Sequence, residues 1–245
     1  MTNQTFEIID GVFVGPDVWE GHLDLREYKD TLISLGSLTE VKGSLDLDGC
    51  TSLVSLGSLK KVGSWSDLRG CIHLVSLGSL KKVGGWLQLN GCTGLTFLGP
   101  LTKVGGGLYL TGCTKLTSLG SLKEVGGLDL EGCTSLTSLG SLTKVRGDLD
   151  LGGCTSLTSL GSLNKAGDRL VLIGCTSLTS LGSLKEVAGY LYLEGGVALS
   201  LQELQEKVFY YSSLLAHEAL NALHVDEVQS VPLYKNILLQ ALQGG

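Results

Sequence analysis

A short frame of apolar residues recurs along most of the chain, with a period of about 21 residues. The unit from 83 to 101 reads VGGWLQLNGCTGLTFLGPL, and the unit from 145 to 163 reads VRGDLDLGGCTSLTSLGSL. Cysteines mark the period at an even spacing, except that the fifth comes one residue early: Cys50, Cys71, Cys92, Cys113, Cys133, Cys154 and Cys175. A fixed period in this range is typical of a solenoid, in which each unit stacks on the previous one.

The L-x-L segment of each unit predicts a short strand with one buried face, because side chains alternate along a strand. Nine copies stacked in parallel would form a sheet roughly 38 Å long at about 4.8 Å per strand. The later leucines and the valine of the next unit are spaced by about three, which predicts inward-facing corners. A unit this short leaves no room for a full α-helix on the back. The predicted strands are centred on the pairs Leu23/Leu25, Leu45/Leu47, Ser66/Leu68, Leu87/Leu89, Leu108/Leu110, Leu128/Leu130, Leu149/Leu151, Leu170/Leu172 and Leu191/Leu193.

The L-x-L-x-G-C frame resembles the leucine-rich-repeat superfamily, although the next leucine follows the cysteine by three residues instead of two. The segment 178–193, LTSLGSLKEVAGYLYL, resembles the receptor L-domain branch and bacterial-type repeats of about 21 residues. The resemblance covers roughly residues 19–200. It implies a leucine-rich-repeat-like parallel β-sheet array of about nine turns, and it leaves function open because the superfamily has many unrelated binding roles.

The two ends depart from the frame. Trp19 replaces the recurrent valine and Tyr28 replaces the recurrent cysteine, which predicts a variant first turn that closes the core. After residue 200 the apolar spacing becomes helical. The expected organisation is an N-terminal cap (1–21), a solenoid (22–200) and a C-terminal α-helical cap or interaction segment (201–245). The open end of a solenoid needs such a cap.

Composition narrows the class of protein. Apolar residues make up 43% of the chain and charged residues 17%, which is too hydrophobic for disorder. The net charge of -6 argues against nucleic acid as a partner. The N-terminus lacks the pattern of a secretory signal, and no apolar run reaches membrane-spanning length. Seven evenly spread cysteines do not suggest a disulfide framework, so we expect a reducing, cytoplasmic compartment and no membrane.

The sequence contains few residue patterns that are typical of metal-binding or catalytic sites. A straight column of cysteines cannot close a tetrahedral zinc site, so we expect small buried thiols. His217 and Glu218 begin like the zinc motif H-E-x-x-H, but Asn221 stands where the second histidine belongs. Phosphate-binding loops and nucleophile elbows are also missing. We therefore expect no enzyme activity, no metal and no cofactor.

Variation is concentrated at the outward positions of the predicted strands, where aromatic and charged side chains alternate. Aromatics on such a surface are typical anchors of protein interfaces, and carboxylates favour a partner with a basic surface. The alternatives are aromatic stacking that only shields the sheet, and carboxylates that only solvate it. The candidate partner-binding residues are Trp65, Trp86, Tyr109, Tyr190, Tyr192, Asp46, Asp67, Asp129, Asp150 and Arg69.

Two other functions remain open from the sequence. Threonine columns, exemplified by Thr134 and Thr155, resemble those of ice-binding solenoids, and an ice- or glycan-binding face is one alternative. Hydroxyl groups that satisfy the backbone of the turns explain the same columns. The other alternative is a structural or assembly component that acts through the C-terminal segment. The preferred prediction is a non-enzymatic protein-binding module.

Overall fold

The computed structural model describes residues 4–193 and 199, and it shows a parallel β-solenoid with a repeat of about 21 residues. The described part of the chain makes about eight turns, one fewer than the sequence predicts, because nine strand levels enclose eight complete turns. The predicted C-terminal helical cap at 201–245 lies outside the described residues.

The L-x-L segments form the predicted sheet, here called sheet I, with nine parallel strands among the described residues. Each strand pairs in register with the next turn, as Leu87 does with Leu108. The first residue of each strand points into the core and the second points outward. The strands are Leu23–Asp24, Leu45–Asp46, Ser66–Asp67, Leu87–Gln88, Leu108–Tyr109, Leu128–Asp129, Leu149–Asp150, Leu170–Val171 and Leu191–Tyr192.

A second sheet of nine parallel strands within the described range, sheet II, occupies the position where the sequence predicts only corners. Its valines are buried as expected, but each belongs to a two-residue strand that pairs in register with its neighbours, as Val83 does with Val104. Short β-branched segments stacked in register satisfy their backbone groups between turns. The strands are Val18–Trp19, Glu40–Val41, Lys61–Val62, Lys82–Val83, Lys103–Val104, Glu124–Val125, Lys144–Val145, Lys165–Ala166 and Glu186–Val187.

Glycines and serines bend the chain between the sheets. Gly112 and Gly120 have φ values of 74° and 59°, a left-handed conformation that residues with a Cβ rarely adopt. Just before the second bend, Ser118 accepts a hydrogen bond from the backbone N–H of Gly120 at 3.1 Å through its Oγ. Ser118 also forms an isolated parallel bridge with Ser138 of the next turn. These bends recur in each unit and close the coil.

The core consists of stacked columns of leucine, valine and cysteine. In one turn, Leu108, Leu110, Cys113 and Leu116 are all completely buried. The Cys113 thiol donates a hydrogen bond to the carbonyl oxygen of Leu89, one turn earlier, at 3.1 Å. The same contact recurs along the cysteine column, which explains why a small side chain with a donor occupies this corner.

The N-terminal end is closed by a hairpin of the strands Glu7–Ile9 and Val12–Val14. The Phe6 ring stacks on Phe13 and meets the edges of Trp19 and Tyr28 at centroid distances of 5.1, 5.7 and 5.8 Å. Tyr28 ends a short 3-10 helix, Arg26–Tyr28. This cluster confirms that Trp19 and Tyr28 close the first turn.

Candidate functional site

The outward side chains of sheet I form a surface that we call the aromatic–acidic face. It has two columns: the position just before each strand, and the second residue of each strand. The first column is His22, Ser44, Trp65, Trp86, Gly107, Gly127, Asp148, Arg169 and Tyr190. The second column is Asp24, Asp46, Asp67, Gln88, Tyr109, Asp129, Asp150, Val171 and Tyr192. Every candidate binding residue except Arg69 lies in these two columns, and Arg69 follows directly after the core residue Leu68.

Trp65 and Trp86 form a stacked aromatic pair on this face. Their rings are stacked, with centroids 4.9 Å apart and an interplanar angle of 8°. On its other side Trp65 reaches across the buried Ser44 to the His22 ring, 5.2 Å away. Both indoles are half-buried, so the three rings form a fixed ridge over strands of four successive turns.

Tyr109, another candidate aromatic residue, stands apart from that ridge. Its ring folds over Gly107, where an added Cβ would lie 2.8 Å from ring carbon Cζ. A Cβ added at Gly127, the next residue of the first column, would lie 3.7 Å from its nearest neighbouring atom. Beyond the ridge the first column therefore carries two glycines in succession, Gly107 and Gly127, and the Tyr109 ring covers the first of them.

The recurrent aspartates of the second column have a structural role in every turn where they occur. Their Oδ1 atoms accept a hydrogen bond from the backbone N–H two residues later, as Asp129 does from Glu131 at 3.0 Å. Asp150 does the same with Gly152 at 2.8 Å. Aspartate favours such local turns because its short side chain reaches its own backbone. This contact explains why aspartate recurs in the column, whatever else the carboxylates do.

Two arginines neutralise the carboxylates of the first turns. The Nη2 atom of Arg69 forms an ion pair with the carboxylate of Asp67 at 2.8 Å. The Arg26 guanidinium forms ion pairs with the carboxylates of Asp24 at 2.6 Å and Asp46 at 3.3 Å. The hydrogen bonds from Arg26 lower the pKa of Asp24 to about 2. Asp46 and Asp67 are only 8% and 5% exposed, so the solvated column expected from the sequence is wrong at these two positions. They are buried within a network of ion pairs and turns.

The carboxylates of later turns are less compensated. Arg169 pairs with Asp148 at 2.7 Å and lowers the pKa of that carboxyl. By contrast, Asp129, Glu131 and Asp150 have no cationic group within ion-pair distance in the described residues. Asp129 and Asp150 are register partners on adjacent strands, so their like charges lie side by side. This part of the face carries unbalanced negative charge.

Tyr190 and Tyr192 form a separate aromatic pair at the last described turn. Their ring centroids are 6.4 Å apart, and Tyr190 is 66% exposed. Four strand spacings, about 19 Å, separate this level from that of Tyr109. The structure therefore divides the candidate aromatics into an N-terminal ridge, a central tyrosine and a distal pair.

One group on this face has the composition of a metal site. His22, Asp24 and Asp46 offer ligand atoms that all lie within 4.8 Å of one another. The Arg26 guanidinium already binds both carboxylates, and it supplies the positive charge that a metal ion would otherwise bring. The geometry favours an ion-pair network at this position.

The threonine column that contains Thr96 and Thr117 and the cysteine column take part in contacts between turns. Thr96 donates its hydroxyl to the carbonyl oxygen of Val75, and Thr117 donates to Thr96, at 3.1 and 3.2 Å. The seven cysteines are free and completely buried. Burial raises the pKa of Cys113 to about 12, which suppresses the reactive thiolate. Both columns therefore support the backbone of the coil.

Sheet II exposes a surface of opposite charge, which we call the basic face. Four glutamates on or beside this sheet all pair with cations: Glu20 with Lys42, Glu40 with Lys61, Glu124 with Arg146 and Glu186 with Lys165. Other lysines on or beside the sheet have no carboxylate within 4.0 Å in the described part of the chain. These lysines are Lys60, Lys81, Lys82, Lys103, Lys123, Lys144 and Lys185.

The basic face is not among the predictions from the sequence, although the residue pattern that forms it is visible there. A lysine recurs beside the valine of the frame, as in Lys82–Val83 and Lys103–Val104, at the same period as the strands of sheet I. The net charge of -6 conceals this separation, because acidic residues elsewhere outnumber the lysines. The argument from net charge against anionic partners therefore does not apply to this face alone.

Comparison with protein families, characterised proteins and solved structures finds no match for this chain. The class established by the structure is a parallel β-solenoid of about 21 residues per turn. Across residues 4–193 and 199, no helix combines the length and the apolarity needed to cross a bilayer.

Proposed function

We propose that this chain is a non-enzymatic module that binds a protein partner through the aromatic–acidic face. The observation that carries the proposal is the stack of Trp65 on Trp86, which fixes two large, partly exposed aromatic rings on a rigid sheet. Aromatic side chains held in place before binding lose little conformational entropy in the complex, and they are frequent anchors of protein interfaces.

The charge of the face supports a partner with a basic surface. Asp129, Glu131 and Asp150 supply uncompensated negative charge beside Tyr109. Such charge attracts lysine and arginine side chains and accelerates association. Trp65 and Trp86 would contribute most of the affinity, and the carboxylates would contribute to the association rate.

Binding is favoured over catalysis by the way the polar groups are used. Asp46 and Asp67 are buried in ion pairs and turn contacts, and the cysteines are protonated core residues. Side chains committed in this way are poor proton donors, acceptors or nucleophiles. The hydroxyls of one threonine column, such as those of Thr96 and Thr117, are likewise directed to backbone carbonyls, which favours the protein-binding proposal over ice binding at that column.

Membership of the leucine-rich-repeat superfamily is part of this proposal. It is supported by the L-x-L-x-G-C frame, by the parallel strands that this frame forms and by the buried leucines. A reducing, cytoplasmic location is also proposed. It is supported by seven buried free thiols whose spacing along the column serves the packing of the turns.

The test uses peptides selected from a displayed random library against the wild-type chain. The triple variant Trp65→Ala, Trp86→Ala, Tyr109→Ala should raise the Kd of the selected basic peptides by at least about tenfold. The matched control is Phe97→Ala, which removes an aromatic ring that is 49% exposed at a different edge of the coil. Equal loss of binding in the control, or full retention in the triple variant, would contradict the proposal.

A further inference from the structure

The two sheets expose uncompensated charges of opposite sign at the same spacing. On sheet II, Lys82 and Lys103 are register partners on adjacent strands. On sheet I, Asp129 and Asp150 are register partners on adjacent strands. Both pairs are separated by one turn of the same coil, about 4.8 Å. Two lysines of one molecule can therefore face two aspartates of another at the same time.

We propose that the basic face of one molecule binds the aromatic–acidic face of a second copy of this chain. This inference rests on the proposed function, because it uses the same face and identifies its basic protein partner. Sliding one copy by a whole turn keeps the spacing of the charges matched. Additional lysines beside the pair, such as Lys81 and Lys123, and Glu131 beside the aspartates extend the same complementarity.

A second copy explains both charged faces together. A polyanion such as nucleic acid would account for the lysines, but it would leave the carboxylates of Asp129, Glu131 and Asp150 without a cationic partner. A separate basic protein would account for those carboxylates and leave the lysines unexplained. Because both surfaces repeat the same spacing, self-association satisfies both of them with one interaction.

The contact has a definite symmetry. It joins two different surfaces, so it is heterologous, and each bound pair of molecules still presents one free face of each kind. Such contacts generate either closed rings or open chains. Because exposed charges supply the attraction, the assembly should dissociate as salt shortens the screening length.

The experiment compares full-length variants by sedimentation velocity. Wild-type protein should form oligomers at about 50 mM salt and become monomeric at about 500 mM. Lys82→Glu with Lys103→Glu reverses charge on the basic face at exposed lysines. Asp129→Asn with Asp150→Asn neutralises the other face and retains an Oδ1 acceptor for the turn contacts. Each double variant alone should self-associate at least about tenfold more weakly than wild type.

Mixing the two double variants provides the decisive measurement. The lysine variant keeps an intact aromatic–acidic face, and the aspartate variant keeps an intact basic face, so their equimolar mixture should form a discrete 1:1 dimer that grows no further. The control, Lys29→Glu with Lys115→Glu, makes the same charge change away from both faces and should assemble like wild type.

Three results would overturn the inference. They are a wild-type chain that stays monomeric at low salt, a mixture of variants that stays monomeric while wild type assembles, and variants that assemble like wild type. Binding of a single-stranded oligonucleotide probe that depends on Lys82 and Lys103, with no self-association, would assign the basic face to polyanions instead. If self-association fails while the selected peptides still bind through Trp65 and Trp86, the proposed function stands and only this inference falls.

Discussion

The carboxylate of Asp150 accepts a hydrogen bond from the backbone N–H of Gly152 at 2.8 Å, and this contact fixes the turn that follows its strand. Replacing Asp150 with asparagine keeps an acceptor oxygen at the same place, whereas alanine removes it. We therefore expect Asp150→Ala to lower the free energy of unfolding by about 1 kcal/mol and Asp150→Asn to change it by less than about half of that. Urea denaturation of both variants measures the difference. Equal destabilisation would show that the charge, not the turn contact, stabilises this position.

Ser66 occupies a position where the other strands of sheet I carry leucine, and its buried hydroxyl has no hydrogen-bond partner in the described residues. We expect Ser66→Ala to raise the free energy of unfolding by about 1 kcal/mol, because it removes an unsatisfied polar group. The control is Ser118→Ala, which removes the acceptor for the Gly120 N–H and should be destabilising. A loss of stability in Ser66→Ala would contradict the assignment of an unsatisfied hydroxyl.

Successive turns approach closely at the glycine that directly follows several strands of sheet II, such as Gly63 after Val62 and Gly84 after Val83. A Cβ on Gly84 would lie 1.9 Å from the carbonyl oxygen of Gly63. We expect Gly84→Ala to destabilise the fold by about 1–3 kcal/mol, because the backbones of two turns must separate. Gly21→Ala is the control, since no atom lies within 4 Å of its added Cβ. Thermal unfolding should show a lower Tm for Gly84→Ala alone.

The cysteines should be unreactive while the protein is folded. Burial raises the pKa of Cys113 to about 12 and that of Cys175 to about 11, so little thiolate forms near neutral pH. Alkylation with iodoacetamide should therefore leave the seven thiols unmodified in the native protein and modify all of them after denaturation. Rapid modification of several cysteines before denaturation would show that the column is accessible.

The ion pair of Asp24 with Arg26 should make stability depend on acid. The folded pKa of Asp24, about 2, lies below its ordinary value of 3.8. The carboxylate therefore contributes stability that is fully present above pH 3.8 and is lost as the pH falls through about 2. Between about pH 5 and pH 2, the Tm of wild type should fall further than that of Asp24→Asn.

The control for this acid titration is Asp30→Asn, which removes a carboxylate that makes no ion pair in the described residues and should follow wild type. Superimposable pH profiles for wild type and Asp24→Asn would mean that the Arg26 contact contributes nothing to folding.

The sequence alone determined the coil. Its period, its buried leucines and cysteines, the strands of sheet I and the aromatic closure by Trp19 and Tyr28 follow from residues that recur at a fixed spacing. In a stacked solenoid, equal spacing along the chain places equivalent residues in one column, so the members of each column are readable before the structure is known.

Only the tertiary structure decided how the side chains of a column meet and what surrounds them. Trp65 stacks on Trp86 while Tyr109 folds over Gly107, because the neighbours of each ring differ in size. Asp67 is buried, and its carboxylate forms an ion pair with the Arg69 guanidinium. The segment before each valine became a second sheet because its backbone pairs with the turns above and below it. That pairing separates lysines from aspartates onto different faces, which a net charge summed over the chain cannot express.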